Sequence, residues 1–264
     1  MRKTIWRLWG MPLLLAVCSC ATKHYRVADV SRSRILVDSR YDVHADAEAA
    51  AFLAPYRQTV DSLMSPVVGT AAKYMAAARP ESELSNLLAD ILMWGGKAFQ
   101  EQPDFAVYNM GGIRAAFAAG NVTVGDVIDV APFENKICFL TLTGADVMEL
   151  LRQMAHRYGE GVSHGLELLV SEKGELLRAC LNGEEIDEQR EYRIATLDYL
   201  AQGNDGMPAF KKGTNVVSPQ SEENNVRYII MNYFRDHMAQ GRSVDAVKEG
   251  RVIIDGRPNF KEGH

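Results

Sequence analysis

The chain of 264 residues is 47 % apolar and 24 % charged, ordinary globular values that provide for one large domain or two small ones. A net charge of −5 leaves no basic footprint for nucleic acid. It argues against a polyanion partner, while one small phosphorylated ligand needs only local charge.

Residues 1–19 read as an export signal. Arg2, Lys3 and Arg7 form a positive start, and the apolar run that Leu13 to Val17 continues is too short to span a bilayer. The run ends Val17-Cys18-Ser19-Cys20, which resembles a bacterial lipoprotein signal. Cys20 follows the small Ser19 and fits the acylated cysteine; Cys18 follows Val17 and fits less well. The expectation is an exported lipoprotein of a bacterial cell envelope, tethered to membrane through a fatty-acyl (palmitate-type) anchor on Cys20. An ordinary secretory signal is the alternative. Of the four cysteines two lie in this segment; Cys138 and Cys180 stand in apolar runs and read as core residues, and no CxxC or Cys/His metal spacing is present.

Residues 20–45 are polar and read as a tether, with one strand over 34–37. Residues 46–264 read as a single α+β domain, a mixed β-sheet with flanking helices. Asp46 caps a helix to Met64 with Phe52, Leu53, Tyr56, Val60 and Leu63 on one apolar stripe, and Pro66 stops it. Val67 to Thr70 is a short strand. A helix over 81–99 buries Leu84, Leu87, Leu88, Ile91 and Leu92; Pro80 sets its first turn, and Gly95-Gly96 close it. Phe105 to Tyr108 is a buried strand that runs into Asn109-Met110-Gly111-Gly112-Ile113-Arg114, followed by a helical turn or two from Ile113 to Ala119. Thr123 to Ile128 is a short segment leading to Ala131-Pro132-Phe133-Glu134-Asn135. Further elements are a strand over 137–142, an amphipathic helix over 146–158, and a hairpin of 166–170 with 175–181. A central strand over 192–196, a helix over 222–238 and a last strand over 251–255 complete the chain.

The turn Asn109 to Arg114 is the chemical centre of this reading. A strand, a glycine turn and an arginine present backbone N–H groups and a fixed cation at a sheet edge, which suits an anion or a ribose; a plain turn with Arg114 in water is the alternative. The chain has no GxSxG, no HExxH and no Walker loop. Asp42-Val43-His44 matches the DxH that opens metallophosphatase sites, but the later bridging Asp, Asn-His pair and HxH that such a site needs are missing. His44 reads as a solvated residue, and no catalytic residue or metal ligand is assigned. The parts present suit a nucleoside instead. Phe133 and Tyr199 can sandwich a base. Asp205, between Gly203 and Gly206, can accept from ribose hydroxyls. Arg114 can pair with phosphate, and Asn109 and Asn135 can both donate and accept.

Five motifs in order carry a resemblance: Glu81-Ser82-Glu83-Leu84-Ser85-Asn86-Leu87, Asn109 to Arg114, Pro132-Phe133-Glu134-Asn135, Thr143-Gly144 and Gly203-Asn204-Asp205-Gly206. The chain resembles the C-terminal domain of the 5'-nucleotidases over about residues 66 to 255. The resemblance implies that Phe133 and Tyr199 stack the base, Asp205 holds the ribose and Asn109 touches the base. It further implies that Gly111, Gly112 and Arg114 form the ribose-phosphate edge, that Asn135 lines the pocket, and that Arg79 is a second basic group. Asn204 replaces a customary glycine, implying a stiffer loop, and Tyr199 replaces a phenylalanine, adding a hydroxyl. It implies no cofactor in this chain; divalent metals belong to a metallophosphatase domain that the sequence lacks. The expectation is therefore the nucleoside- or nucleotide-recognition half of a 5'-nucleotidase-type hydrolase, inactive alone, with cleavage on a separate metallophosphatase chain. The alternatives are a stand-alone nucleoside-binding lipoprotein and a domain that serves only as a structural surface.

Overall fold

The computed structural model describes residues 25–36, 38–40 and 46–256. Cys20 and His44 lie outside the described residues. The chain parts into two units, Met1–Phe52 and Leu53–His264. Residues 25–36 form no strand, contrary to the expectation for 34–37, whose last residue, Val37, is outside the described residues. Helix α1 (Ala47–Met64) starts as expected, with the Asp46 carboxylate accepting from the Glu48 and Ala49 N–H groups at 2.9 and 3.0 Å. Its stripe of Phe52, Leu53, Tyr56, Val60 and Leu63 is 47 to 67 % exposed, and no residue of α1 is buried. Periodicity specifies that one face of a helix is apolar, not how deeply that face is buried.

Beyond α1 come β1 (Val67–Ala71), α2 (Glu83–Gly95), β2 (Phe105–Tyr108), β3 (Gly120–Thr123), α3 (Val124–Val130), β4 (Ile137–Thr143), α4 (Gly144–His156) and β5 (Gly161–Val162). They are followed by β6 (Leu166–Val170), β7 (Leu176–Leu181), β8 (Glu184–Glu185), β9 (Glu191–Leu197), α5 (Asp198–Ala201), β10 (Thr214–Val217), α6 (Val226–Ala239) and β11 (Val252–Ile254). The main sheet has five strands in the order β10-β4-β9-β2-β5. It is mixed: β2 and β9 run parallel, and β4–β9, β10–β4 and β2–β5 are antiparallel. A four-stranded sheet, β11-β6-β7-β8, contains the expected hairpin, and β1 pairs with β3. The fold is α+β, as the sequence implies.

Helix α2 packs on β2, β5 and α6. Its expected face is buried: Leu84, Leu87, Leu88, Ile91 and Leu92 are at most 2 % exposed. Each contributes about 2 kcal/mol of gross burial energy. Its ends differ from expectation. Ser82 and Ser85 form a reciprocal cap at the start, so Pro80 lies outside the helix, after a cis Arg79–Pro80 bond. Gly96 stays right-handed and the chain tightens into a 3-10 turn, Gly96–Phe99; the left-handed stop is Gln100, at φ 58°. The helical turns expected over Ile113 to Ala119 are absent. Phe117 is fully buried and its backbone exchanges two hydrogen bonds with Met75, at 2.9 and 3.0 Å, which holds the segment extended. The segment after it is the helix instead, since Thr123 caps α3 through Asp126. Cys138 and Cys180 are free, buried thiols.

Candidate functional site

Strand register gathers the candidate residues at one edge of the main sheet. Ile137 at the start of β4 faces Leu197 at the end of β9. Just beyond that pair the Lys136 N–H donates to Asp198 Oδ1 at 3.0 Å, and the Asp198 N–H donates to the Lys136 carbonyl at 2.9 Å. The loop before β4 carries Phe133 and Asn135; the residues after β9 carry Tyr199 and Asp205. Strand β2 runs parallel to β9, so Asn109 leaves at the same edge. Strand β5 runs antiparallel to β2 with Gly161 opposite Tyr108, so Glu160 arrives there too. Four adjacent strands thus contribute, though their residues lie as far apart as 109 and 205 in sequence.

Phe133 and Tyr199 are both exposed, and no ring contact joins them among the described residues. The Phe133 loop is pinned from α6. Arg227 donates to the Pro132 carbonyl at 2.9 Å, the Val226 N–H to the Asn135 carbonyl at 2.9 Å, and the Lys136 ammonium to the Asn225 side-chain oxygen at 2.6 Å. The Asn135 side chain is half-buried and makes no hydrogen bond among the described residues.

Asp205 is the hub of the exposed part. It sits at φ 53°, between Gly203 at 77° and Gly206 at 71°; this left-handed run turns its carboxylate back toward the sheet edge. Its Oδ2 accepts from Asn109 Nδ2 at 2.6 Å and its Oδ1 from the Tyr199 hydroxyl at 3.1 Å. The second bond raises the Tyr199 phenol above its usual pKa, since ionisation would set two negative charges together. Asn204 keeps an ordinary φ and its amide donates to the Tyr199 carbonyl at 2.7 Å, so a glycine is not required there. Asn109 is only 3 % exposed, and its Oδ1 is buried with no hydrogen-bond partner. Gly112 makes room for that oxygen: a Cβ there would lie 2.6 Å from it. A Cβ on Gly111 would stand 3.6 Å from Asp205 Oδ2. Arg114 is exposed, with one long contact of 3.4 Å to the Gly111 carbonyl, while its N–H is tied to Val130 at the end of α3.

Arg79 does not point into solvent at the start of α2. It donates to the Gly159 carbonyl and, at 2.8 Å, to Glu160 Oε1. Gly159, at φ 99°, permits this approach, since a Cβ would fall 2.6 Å from the Pro80 carbonyl. Glu160 is fully buried and takes two more bonds, from Arg157 Nε at 2.8 Å and from the Met110 N–H of the glycine turn at 2.6 Å. This bond holds the Arg157 guanidinium protonated above its already high pKa. Glu160 and Arg157 are the residues that sequence reasoning missed. The available signal was Gly159-Glu160-Gly161-Val162, a carboxylate set between glycines directly before a buried strand.

The first motif of the resemblance is scaffold. Glu81 accepts from Asn86 Nδ2 and from the N–H groups of Glu249 and Gly250 at 2.7, 2.9 and 3.0 Å, tying α2 to the approach to β11. Thr143 caps α4, and Gly144 lies against the backbone of Asp187. Among the described residues no group of three His, Cys, Asp or Glu side chains is placed to hold a metal ion, and no helix is long and apolar enough to cross a membrane.

Comparison with known proteins identifies the family. The family model described as "5'-nucleotidase, C-terminal domain" matches residues 67–212. A cell wall protein of Listeria monocytogenes is 30 % identical over 191 residues, 66 % of this chain and 24 % of the relative. A 5'-nucleotidase of Vibrio vulnificus is 26 % identical over 189 residues, 68 % of this chain and 33 % of the relative. The crystal structure of a 5'-nucleotidase precursor from Thermus thermophilus superposes with a TM-score of 0.70 at 26 % identity, covering 80 % of this chain and 44 % of that one. The chain therefore spans between a quarter and a half of the length of these relatives, and it belongs to the 5'-nucleotidase C-terminal domain family.

Proposed function

We propose that this chain is the nucleoside-recognition half of a 5'-nucleotidase-type hydrolase in nucleotide breakdown, with metal-dependent phosphate cleavage supplied by a separate metallophosphatase chain. The observation that carries the reading is the single sheet edge that brings Phe133, Tyr199, Asp205 and Asn109 together. The exposed rings flank the base, and Asp205, oriented by Asn109 and Tyr199, accepts from the ribose hydroxyls. Gly111, Gly112 and Arg114 form the adjoining edge, and Asn135 lines the wall below Phe133. The divalent metals of the reaction belong to the partner. Export and tethering through Cys20 complete the proposal; the Listeria relative's description as a cell wall protein supports an envelope location.

Calorimetry of the purified chain with adenosine tests this. Binding is expected, and Phe133→Ala should weaken it by about 1–3 kcal/mol, a five- to 150-fold loss. No binding by the wild type overturns the reading. The chain alone, given Mg²⁺, Mn²⁺ or Zn²⁺ and a nucleoside monophosphate, should release no phosphate; release would place the cleavage site here instead.

A further inference from the structure

The two oxygens of the Glu160 carboxylate have different partners. Oε1 accepts from Arg79 Nη2 and from Arg157 Nε, both at 2.8 Å, and Oε2 accepts from the Met110 N–H at 2.6 Å. Arg79 has a second acceptor in the Gly159 carbonyl. Arg157 lends only Nε, and among the described residues neither of its terminal amino groups donates a hydrogen bond. Its side chain is 35 % exposed. The unused fork lies beside the Asp205 loop, since a Cβ on Gly206 would sit 3.8 Å from Arg157 Nη1. Glu160 first, and Asp205 after it, hold Arg157 protonated. The charges of Arg79, Arg157, Glu160 and Asp205 sum to zero. Each Asp205 oxygen already has one donor, from Asn109 or Tyr199, and keeps a lone pair for one more. A guanidinium fork fits a carboxylate at two points, and here it would take the lone pairs that ribose hydroxyls need. What keeps the fork off Asp205 is the Nε bond to a carboxylate with no side-chain exposure.

We propose that Glu160 is a positioning residue of the pocket: it holds Arg157 off Asp205 and so keeps that carboxylate open to the ribose hydroxyls. This rests on the nucleoside reading above and deepens it. An amide at position 160 keeps a single acceptor oxygen. The Met110 N–H, fixed in the glycine turn, retains that oxygen, and the amide NH2 then faces both arginines. Arg79 keeps the Gly159 carbonyl. Arg157 turns to Asp205, the remaining carboxylate of the four groups, and caps it.

Calorimetry with adenosine on the full chain would compare the wild type, Glu160→Gln, Arg157→Gln and the double variant, beside a crystal structure of Glu160→Gln. Glu160→Gln should bind about tenfold more weakly, and its structure should show Arg157 paired with Asp205. Arg157→Gln, which has no fork to close, should bind within about twofold of the wild type. The double variant should recover to within about threefold of the wild type. A merely structural role gives the reverse, because a second loss in one buried network lowers affinity further. Glu160→Asp keeps the buried charge but shortens its reach. It serves where the glutamine variant does not fold, and its smaller loss should again be relieved by Arg157→Gln. Unchanged affinity in folded Glu160→Gln, or a double variant no tighter than the single one, overturns the proposal and leaves the nucleoside reading intact. So does a Glu160→Gln structure with Arg157 still turned away from Asp205. If the wild type binds no adenosine, the nucleoside reading fails and the ribose role with it. The crystal structure then still decides whether Glu160 holds Arg157 off Asp205.

Discussion

Replacing Glu81 tests whether the first motif of the resemblance is scaffold and stands apart from ligand binding. The carboxylate accepts from one side-chain amide and two backbone N–H groups. Charge-assisted bonds of this kind contribute about 1.5–3 kcal/mol each when broken singly, and bonds sharing one acceptor are not additive. Glu81 is also half-buried, which softens the loss. Glu81→Ala should therefore cost about 3 kcal/mol in urea unfolding, with Glu81→Gln near half of that because one oxygen remains. For a folded body of this size, 3 kcal/mol lowers the melting temperature by roughly 6–12 °C. At a temperature where the variant is fully folded, its affinity for adenosine should equal the wild type's. A change in stability below 0.5 kcal/mol, or a tenfold loss of adenosine affinity in the folded variant, would refute the reasoning.

Three other changes probe the geometry. Gly144→Ala would set a methyl 1.9 Å from the Asp187 carbonyl and 2.7 Å from Glu188 Cα, both backbone. It should destabilise by about 3 kcal/mol or more, visible as a lowered urea midpoint or loss of soluble protein. Gly112→Ala would displace the Asn109 side chain from Asp205; adenosine affinity should drop about tenfold while the melting temperature moves by only a few degrees. Burial pushes the Cys138 thiol up to about 11 from 9.0. The folded state therefore holds its proton more tightly than the unfolded chain does, so the thiol's contribution to stability is complete below pH 9 and is lost as pH rises through 11. Comparing wild type with Cys138→Ala, the wild type should lose more unfolding free energy across that window, and native Cys138 should resist a thiol reagent at pH 8 that reacts at once in urea.

Three strands of the main sheet, β2, β4 and β9, were legible because their apolar runs are short, buried and bounded by turn residues, and Phe105–Tyr108 emerges with the expected ends; β5, two residues long, and β10, exposed along its length, carry no such run. The candidate site residues stand out through their order along the chain, and the register of β4, β9 and β2 brings them to one end of the sheet. The glycine-flanked Glu160 offered only a weak local signal, and its role emerges when its partners, 81 residues upstream at Arg79 and 50 upstream at Met110, are brought to it. The segment after Arg114 has helix-forming alanines, but the Phe117 side chain belongs to the core, and tertiary burial overrides local propensity. The exposed stripe of α1 marks the opposite limit, where the local pattern forms its helix and the tertiary partner has no signature in the pattern.

The doubly bonded junction of Lys136 and Asp198 has a thermodynamic corollary. Phe133 and Tyr199 both lie just beyond the ends of the most extensively paired strands of the sheet, β4 and β9, joined over seven residue pairs. The proposed pocket therefore has no private melting transition: whatever separates Phe133 from Tyr199 must also open the sheet. A ligand confined to the intact sheet should raise the midpoint of the whole folded body by mass action, about 2.7 kcal/mol at a hundredfold excess over its dissociation constant. A heat-denaturation curve of this body then serves as a binding assay, and a screen of nucleosides and their esters needs no enzymatic signal at all.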